Sequence, residues 1–349
     1  MSWRVVPKIE DILKKGGEYI GVDEEEAQTL LRLELGSKEV YALMETANRL
    51  SREQFRGKGE NHLHIGINVE PCPYNCRFCS LAENAGVFTD RIEFAEEEII
   101  GWARGAGAEK ADALNIMTTG TYSFKRLIEI GKLLSDEISL PLVANTRDIT
   151  HREGEELLKA GFVGAYHAIR LGEGKDTPFA IKKRLRTIEV LKDVGLQWMN
   201  CIEPVGPEHT AEEIAWLMVL ARKYGATYSG VMRRINFPGS PCTKEGMISE
   251  LELARMVAVS RLVMGEAPMA HCTHEPHAAS LIAGANLFFP EVGSSPRDKK
   301  ADTGQGRGTS IAACRQMFEE MGWDPDLPSN CFESKSPTKA VDAAAGRSV

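Results

Sequence analysis

The sequence predicts an α/β protein built on a (β/α)8 barrel of the TIM type with an N-terminal helical extension. Three observations predict it. Short apolar runs alternate with amphipathic stretches through most of the chain, the order that a parallel sheet requires. Eight such runs fall within about 260 residues, the usual span of eight βα units. No G-x-G-x-x-G opens a first βα turn, which weighs against the doubly wound open sheet, the other arrangement with this alternation.

Residues 1–60 read as helical, because "DEEEAQTLLRLEL" and "SKEVYALMETANRLSREQF" carry apolar residues at helical spacing with charges between them. "HLHIGINVE" (62–70) then alternates and stops at Pro71, a strand followed by a loop. The next strands are "ALNIMTT" (113–119), "PLVAN" (141–145), "GAYHAIRL" (164–171) and "LQWMNCI" (196–202). "YSGVMRRI" (228–235), "APMAHC" (267–272) and "ANLFFP" (285–290) complete the set. Helices fall between them, with the tight 272–285 link the one that leaves little room. Three helices open on capping boxes: Thr150 with Glu153, Thr210 with Glu213, and Ser249 with Glu252. The expected division is a helical extension over 1–60, the barrel over 61–322 and a weakly ordered tail over 323–349, which is rich in Pro, Ser, Lys and Ala.

Apolar residues make up 43% of the chain and charged residues 26%, the balance of a soluble globular protein. No apolar run reaches about 18 residues, so no transmembrane helix is expected. The N-terminus lacks the apolar core of a signal peptide, which makes the cytoplasm the default location. A net charge of −8 argues against a nucleic-acid partner held by bulk electrostatics.

Eight cysteines in such a chain call for a reason other than disulfides. Three cluster in "CPYNCRFCS", at Cys72, Cys76 and Cys79. They directly follow the first strand, and the loops after barrel strands form the catalytic face. Thiolates bind soft metals and hold iron–sulfur clusters. A four-iron cluster on three cysteines keeps one iron open to a small molecule. The residues alone leave other readings open. A structural zinc site wants a fourth ligand, and no nearby Cys or His is evident. A redox C-x-x-C uses two cysteines in a thioredoxin-like context. Three buried cysteines with no ligand role are the plain alternative.

Cys72-x3-Cys76-x2-Cys79, with Phe78 before the third cysteine, resembles the signature of the radical SAM superfamily. The wider chain is similar to the biotin synthase-like branch over roughly residues 25–322. The likeness is carried by "ANRLSREQFRGKGENHLHIGINVEPCPYNCRFCSL" and "AGANLFFPEVGSSPRD". The resemblance implies a [4Fe–4S] cluster on the three cysteines and S-adenosylmethionine (SAM) chelated to the open iron. One electron then breaks a carbon–sulfur bond, and the 5′-deoxyadenosyl radical takes hydrogen from an unactivated carbon. It also implies a small-molecule or carrier-bound substrate and a flavodoxin or ferredoxin as electron donor.

The same resemblance assigns other SAM contacts. Phe78 lies by the adenine, with loop packing as its alternative role. Thr118, Thr119 and Gly120 stand where the superfamily commonly has Gly-Gly-Glu and bind the amino group through the backbone. Arg170 and Glu173 in "IRLGEG" are similar to a SAM-binding Arg/Glu pair; a surface salt bridge is the alternative. Arg184 resembles the helix arginine that reaches the SAM carboxylate, against a solvated face shared with Lys182, Lys183 and Arg186. "PVGPE" (204–208) resembles the loop that contacts adenine.

On the substrate side, "HCTHEPH" packs His271, Cys272, His274, Glu275 and His277 at the end of the seventh strand, where substrate binding or a second metal centre is expected. Cys201, Cys242 and Cys272 follow the fifth, sixth and seventh strands. They are expected to converge as ligands of an auxiliary iron–sulfur cluster or as sulfur donors, with plain burial as the alternative. Cys314 reads as helix core, and Cys331 as incidental in the tail. Biotin synthase itself holds a two-iron cluster with cysteines on its second, third and fifth strands and an arginine on its seventh. Here those strands offer Ile116, Met117, Asn145 and Thr146. Cys201 lies near the fifth-strand position, one residue out of register and so on the opposite face. "HCTHE" replaces the arginine region. The expected reaction is therefore not biotin synthesis. A lipoyl synthase-like sulfur inserter, an iron-only hydrogenase-associated maturase and a methylornithine synthase-like isomerase are the relatives considered. The surplus cysteines tilt toward sulfur or auxiliary-cluster chemistry, and a non-enzymatic metal-binding protein is the other class.

Overall fold

The computed structural model describes residues 5–332. Three helices come first: α1 (Pro7–Gly17), α2 (Glu24–Leu31) and α3 (Lys38–Gln54). In α1, Pro7 takes the first helical turn, where its missing N–H is harmless, and Ile9, Ile12 and Leu13 bury one face. These helices pack against α8 (Ala211–Tyr224) and α9 (Glu250–Met264) on the outside of a barrel. Arg261 of α9 is fully buried in that seam and donates to Ser51 Oγ at 2.9 Å and to the Gly265 carbonyl at 2.8 Å.

The barrel closes as expected. Its strands are β1 (Glu60–Gly66), β2 (Ala113–Met117), β3 (Leu142–Asn145), β4 (Phe162–Tyr166), β5 (Gln197–Met199), β6 (Tyr228–Arg233), β7 (Ala270–Cys272) and β8 (Leu287–Phe288). Each pairs in parallel with the next, and β8 returns to β1 through Glu60↔Leu287. The fifth strand breaks and resumes as Ile202–Val205 along β6, and the eighth resumes as Glu291–Gly293 along β1. The expected capping boxes open α6 (His151–Lys159), α8 and α9. The tight 272–285 link still holds a short helix, α10 (Ala278–Ile282), capped by His277.

Strand side chains alternate between two cores. Leu63, Ile65, Leu114, Ile116 and Leu142 join the core under the helices. Ala113, Val143, Met199, Cys201, Tyr228 and Cys272 fill the barrel interior. Cys201 therefore faces inward, and the expected offset to the opposite face is corrected. Met199 and Cys201 lie two residues apart and share one face.

The segment 323–332, expected to be weakly ordered, packs across the N-terminal end of the barrel; 333–349 lie outside the described residues. Asn330 N–H and the Ser329 hydroxyl donate to the buried Glu60 carboxylate at 2.6 and 2.9 Å. Asp324 N–H donates to the Gly57 carbonyl at 2.8 Å, and Lys58 Nζ reaches the Pro325 carbonyl at 2.9 Å. Phe332 lies against His62 at a ring separation of 5.4 Å. A hydrogen bond to a buried charge contributes about 1.5–3 kcal/mol. Truncation after Gly322 is thus expected to cost roughly 3 kcal/mol or more, read as a lower urea midpoint by circular dichroism. An unchanged midpoint would show that the segment does not hold the barrel end.

Candidate active site

The long loop between β1 and α4 (Glu96–Ala108) carries the three cysteines at the mouth of the barrel. It is a folded element. Cys72 N–H donates to the Leu81 carbonyl at 2.8 Å and Cys79 N–H to the Cys76 carbonyl at 3.0 Å. Asn75 turns the chain at φ 51, a conformation that asparagine tolerates. Ser80 N–H donates to the Pro296 carbonyl at 2.8 Å, which fastens the loop to the one after β8.

All three sulfurs are free thiols bordering one cleft of about 1100 Å³, counted to its open mouth. Burial raises each thiol pKa, that of Cys76 to about 11 and that of Cys79 to about 12. Each thiolate would also repel its neighbours, since Cys72 raises Cys76, and both raise Cys79. Against this, the backbone amides of Tyr74 and Gly120 point at the Cys72 sulfur. Three clustered, desolvated sulfurs are poor thiolates alone and need a positive partner to ionise. The donor set thus fits an iron–sulfur cluster on three thiolates.

Around the sulfurs stand most of the residues singled out for SAM. Phe78, Thr118, Thr119, Gly120, Arg170 and Arg184 all border the cleft. Thr119 is engaged by the protein itself: Asn68 bonds both its N–H (3.0 Å) and its hydroxyl (2.8 Å). Gly120 is required by contact, because a Cβ there would lie 2.3 Å from the Tyr74 ring. The Arg170 and Glu173 side chains form no ion pair with one another, although Arg170 N–H donates to the Glu173 carboxylate at 3.2 Å. Arg170 Nε meets Glu203 at 3.2 Å, while Glu173 sits behind the wall and accepts from Arg184 Nε at 3.1 Å. Arg184 is buried, at 3% exposure, so the solvated-face alternative does not hold. It also contacts Asp148 at 3.3 Å and lies 4.0 Å over the Phe179 ring. From "PVGPE", Pro204 borders the cleft, and Glu208 pairs with Arg234.

The "HCTHEPH" segment is split, its first two groups by strand alternation and the rest by the loop that follows. His274 alone of its five chemical groups borders the cleft. His271 points outward and bonds the Val257 carbonyl at 2.8 Å, and Cys272 lies in the interior core. Glu275 pairs with Arg233 at 2.7 Å, and His277 caps α10. Cys201 and Cys272 meet beneath the cleft, whereas Cys242 lies in the loop after β6, so the three cysteines do not converge. Cys314 is packed against Phe288 and Phe318, and Cys331 joins the interior core.

The cleft also draws on residues that no motif marks: His64, Asn145, Tyr166, Met232 and Arg297. His64 and His274 stack at 5.4 Å. Burial and the Arg297 charge hold both imidazoles neutral, the pKa of His64 falling to about 3. The "HLHIG" alternation is the one signal that marks His64 as able to face inward.

No family model matches the chain. It is 25% identical over 266 residues to the biotin synthase of Geobacter sulfurreducens, covering 72% of this chain and 78% of that protein. It is 22% identical over 253 residues to the biotin synthase of Carboxydothermus hydrogenoformans, covering 67% and 78%. Among solved structures it resembles methylornithine synthase (PylB), with a TM-score of 0.75 at 17% identity over 91% of this chain and 98% of that one. The FeFe-hydrogenase maturase HydG from Carboxydothermus hydrogenoformans superposes with a TM-score of 0.74 at 15% identity, covering 90% and 78%. These two likenesses speak to the fold. In sequence the chain is similar to the biotin synthases, and its barrel is the fold that methylornithine synthase (PylB) also has.

Proposed function

We propose that this chain cleaves S-adenosylmethionine reductively and abstracts hydrogen from a small organic substrate held in the barrel. The observation that carries the reading is the convergence of three thiols on one cleft at the barrel mouth. Cys72, Cys76 and Cys79 would hold a [4Fe–4S] cluster, which with SAM supplies one-electron cleavage of a carbon–sulfur bond. Phe78 offers an aromatic edge at the rim. Gly120 offers a backbone approach free of a side chain. Arg184, fixed by Asp148 and Glu173, presents a buried cation to the SAM carboxylate. The rim loops shield the reacting carbon from water.

Sulfur insertion and an auxiliary cluster are supported less well than hydrogen abstraction with rearrangement. Cys201 and Cys272 meet, but beneath the cleft, and Cys242 is remote from both. That favours an isomerase of the methylornithine synthase kind or a maturase over a sulfur inserter. A flavodoxin or ferredoxin would supply the electron, in keeping with a reducing cytoplasm. No helix among the described residues is long and apolar enough to cross a membrane.

Cys76→Ala is expected to abolish 5′-deoxyadenosine formation and to lower cluster iron after anaerobic reconstitution, measured by chromatography and iron assay. Full iron and undiminished cleavage in that variant would refute the ligand assignment. Arg184→Lys keeps a charge beside Asp148 but loses the fork. It is expected to raise KM for SAM roughly tenfold, the worth of about one charge-assisted hydrogen bond. An unchanged KM would leave Arg184 a purely structural residue.

A further inference from the structure

Behind the cleft runs a chain of alternating charges. Arg233 meets Glu275 at 2.7 Å, Glu275 meets Arg307 at 3.0 Å, and Arg307 approaches Glu291 at 3.9 Å. Glu291 then contacts Arg297 at the floor of the cleft. Inside the barrel three guanidinium ions alternate with two carboxylates, and counted with Glu250 the chain is balanced. Glu250, largely exposed, touches only the outermost member, Arg233.

Arg297 is 7% exposed, and its donors are incompletely used. Nη2 serves Glu291 and the His274 ring at 3.4 Å. Nη1 meets the Met232 sulfur at 2.6 Å, a weak acceptor, and Nε has no partner. Two further buried atoms bordering the same cleft lack hydrogen bonds: the Tyr166 hydroxyl and His64 Nδ1. Each unpaired buried polar atom costs about 1–3 kcal/mol. Such groups around one cleft, contributed by the first, fourth and eighth strands or the loops after them, are what a bound polar group would satisfy.

We propose that the floor of the cleft binds a carboxylate of the substrate, received by Arg297 and the Tyr166 hydroxyl beside His64. The unpartnered Nε edge of Arg297 suits a planar, singly charged carboxylate, where a phosphate monoester would bring a second negative charge beside Glu291. His64, His274 and Glu291 bring donor atoms within 4.8 Å of one another, the spacing of a metal site. The Arg297 guanidinium, however, sits against both Glu291 and His274, which favours an organic anion over a metal cation. That the acid is the substrate rests on the radical SAM reading; the site itself does not.

The test uses the reconstituted protein, titrated calorimetrically with hexanoate and with hexanamide before SAM is added. Hexanoate is expected to bind about tenfold tighter or better. The preference should vanish in Arg297→Gln and survive in part in Arg297→Lys. Failure of hexanoate to bind, equal binding of acid and amide, or an undiminished preference in Arg297→Gln would each overturn the proposal. If Arg297→Gln does not fold, the wild-type comparison and Arg297→Lys decide. Zinc or iron retained by a Cys72/Cys76/Cys79 triple-alanine protein and lost on adding His64→Ala would also overturn it, in favour of a metal. Production of 5′-deoxyadenosine by the same wild-type sample separates the two readings. Cleavage without acid preference refutes the floor site alone, and acid preference without cleavage refutes the radical reading alone.

Discussion

The ion pair between Arg77 and Asp176 does for the cysteine loop what no residue within the loop can do. Arg77 lies between Cys76 and Phe78, and its guanidinium meets Asp176 at 2.5 Å and Glu245 at 3.3 Å. Its N–H also donates to the Asp176 carbonyl at 2.9 Å. The loop after β1 is thereby tied to those after β4 and β6, while Ser80 ties it to the one after β8. Asp176 can sit there because Gly172 turns at φ +77, where a Cβ would fall 2.3 Å from the Asp176 carboxylate. Without these crossed ties the three sulfurs would belong to a surface loop free to separate, and desolvation would have nothing fixed to act on.

The electrostatics of the cleft follow from the same enclosure. A buried charge survives only when it is matched. At the rim the matching is complete: Arg170 with Glu203, Arg184 with Asp148 and Glu173, Arg234 with Glu208. The sulfurs and the two stacked imidazoles escape the requirement by staying neutral. The exceptions then fall where exogenous groups are expected, at the thiols that need a cation and at Arg297, whose Nε has no partner.

Much of this was legible in the chain. Capping boxes could be read because the hydroxyl and carboxylate stand three residues apart, and they bond as anticipated in α6, α8 and α9. The barrel was legible from alternating runs, and the cysteine loop from its spacing. The floor was not. "HLHIG" marks a strand, but which face turns inward is set by closure of the sheet. Nothing local in "SSPRD" says that Arg297 will meet Glu291, because that meeting needs the break that restarts the eighth strand. The five groups of "HCTHEPH" look like one centre in the chain, but the strand's period of two parts His271 from Cys272, and the loop that follows sends His274, Glu275 and His277 to three different partners. The cap at 323–332 was hidden for a related reason: its polar composition suits a loose tail until Glu60, far away in sequence, supplies an acceptor.

The barrel is open at one end only, and this bears on how two ligands would share it. Below His64 and Tyr166 the interior is filled by Val143, Met199, Tyr228, Cys272 and Phe289, and Phe332 packs on His62 at the far end. Among the described residues the floor opens through the mouth, whose wall carries the cysteines, Phe78 and Gly120. In the proposed occupancy SAM fills that wall and the substrate lies beneath it. A substrate that reaches the floor must then enter before SAM settles or while SAM is displaced. The substrate in turn closes the lower cleft to water. The same ordering would hold a radical formed at the rim directly over the substrate beneath it.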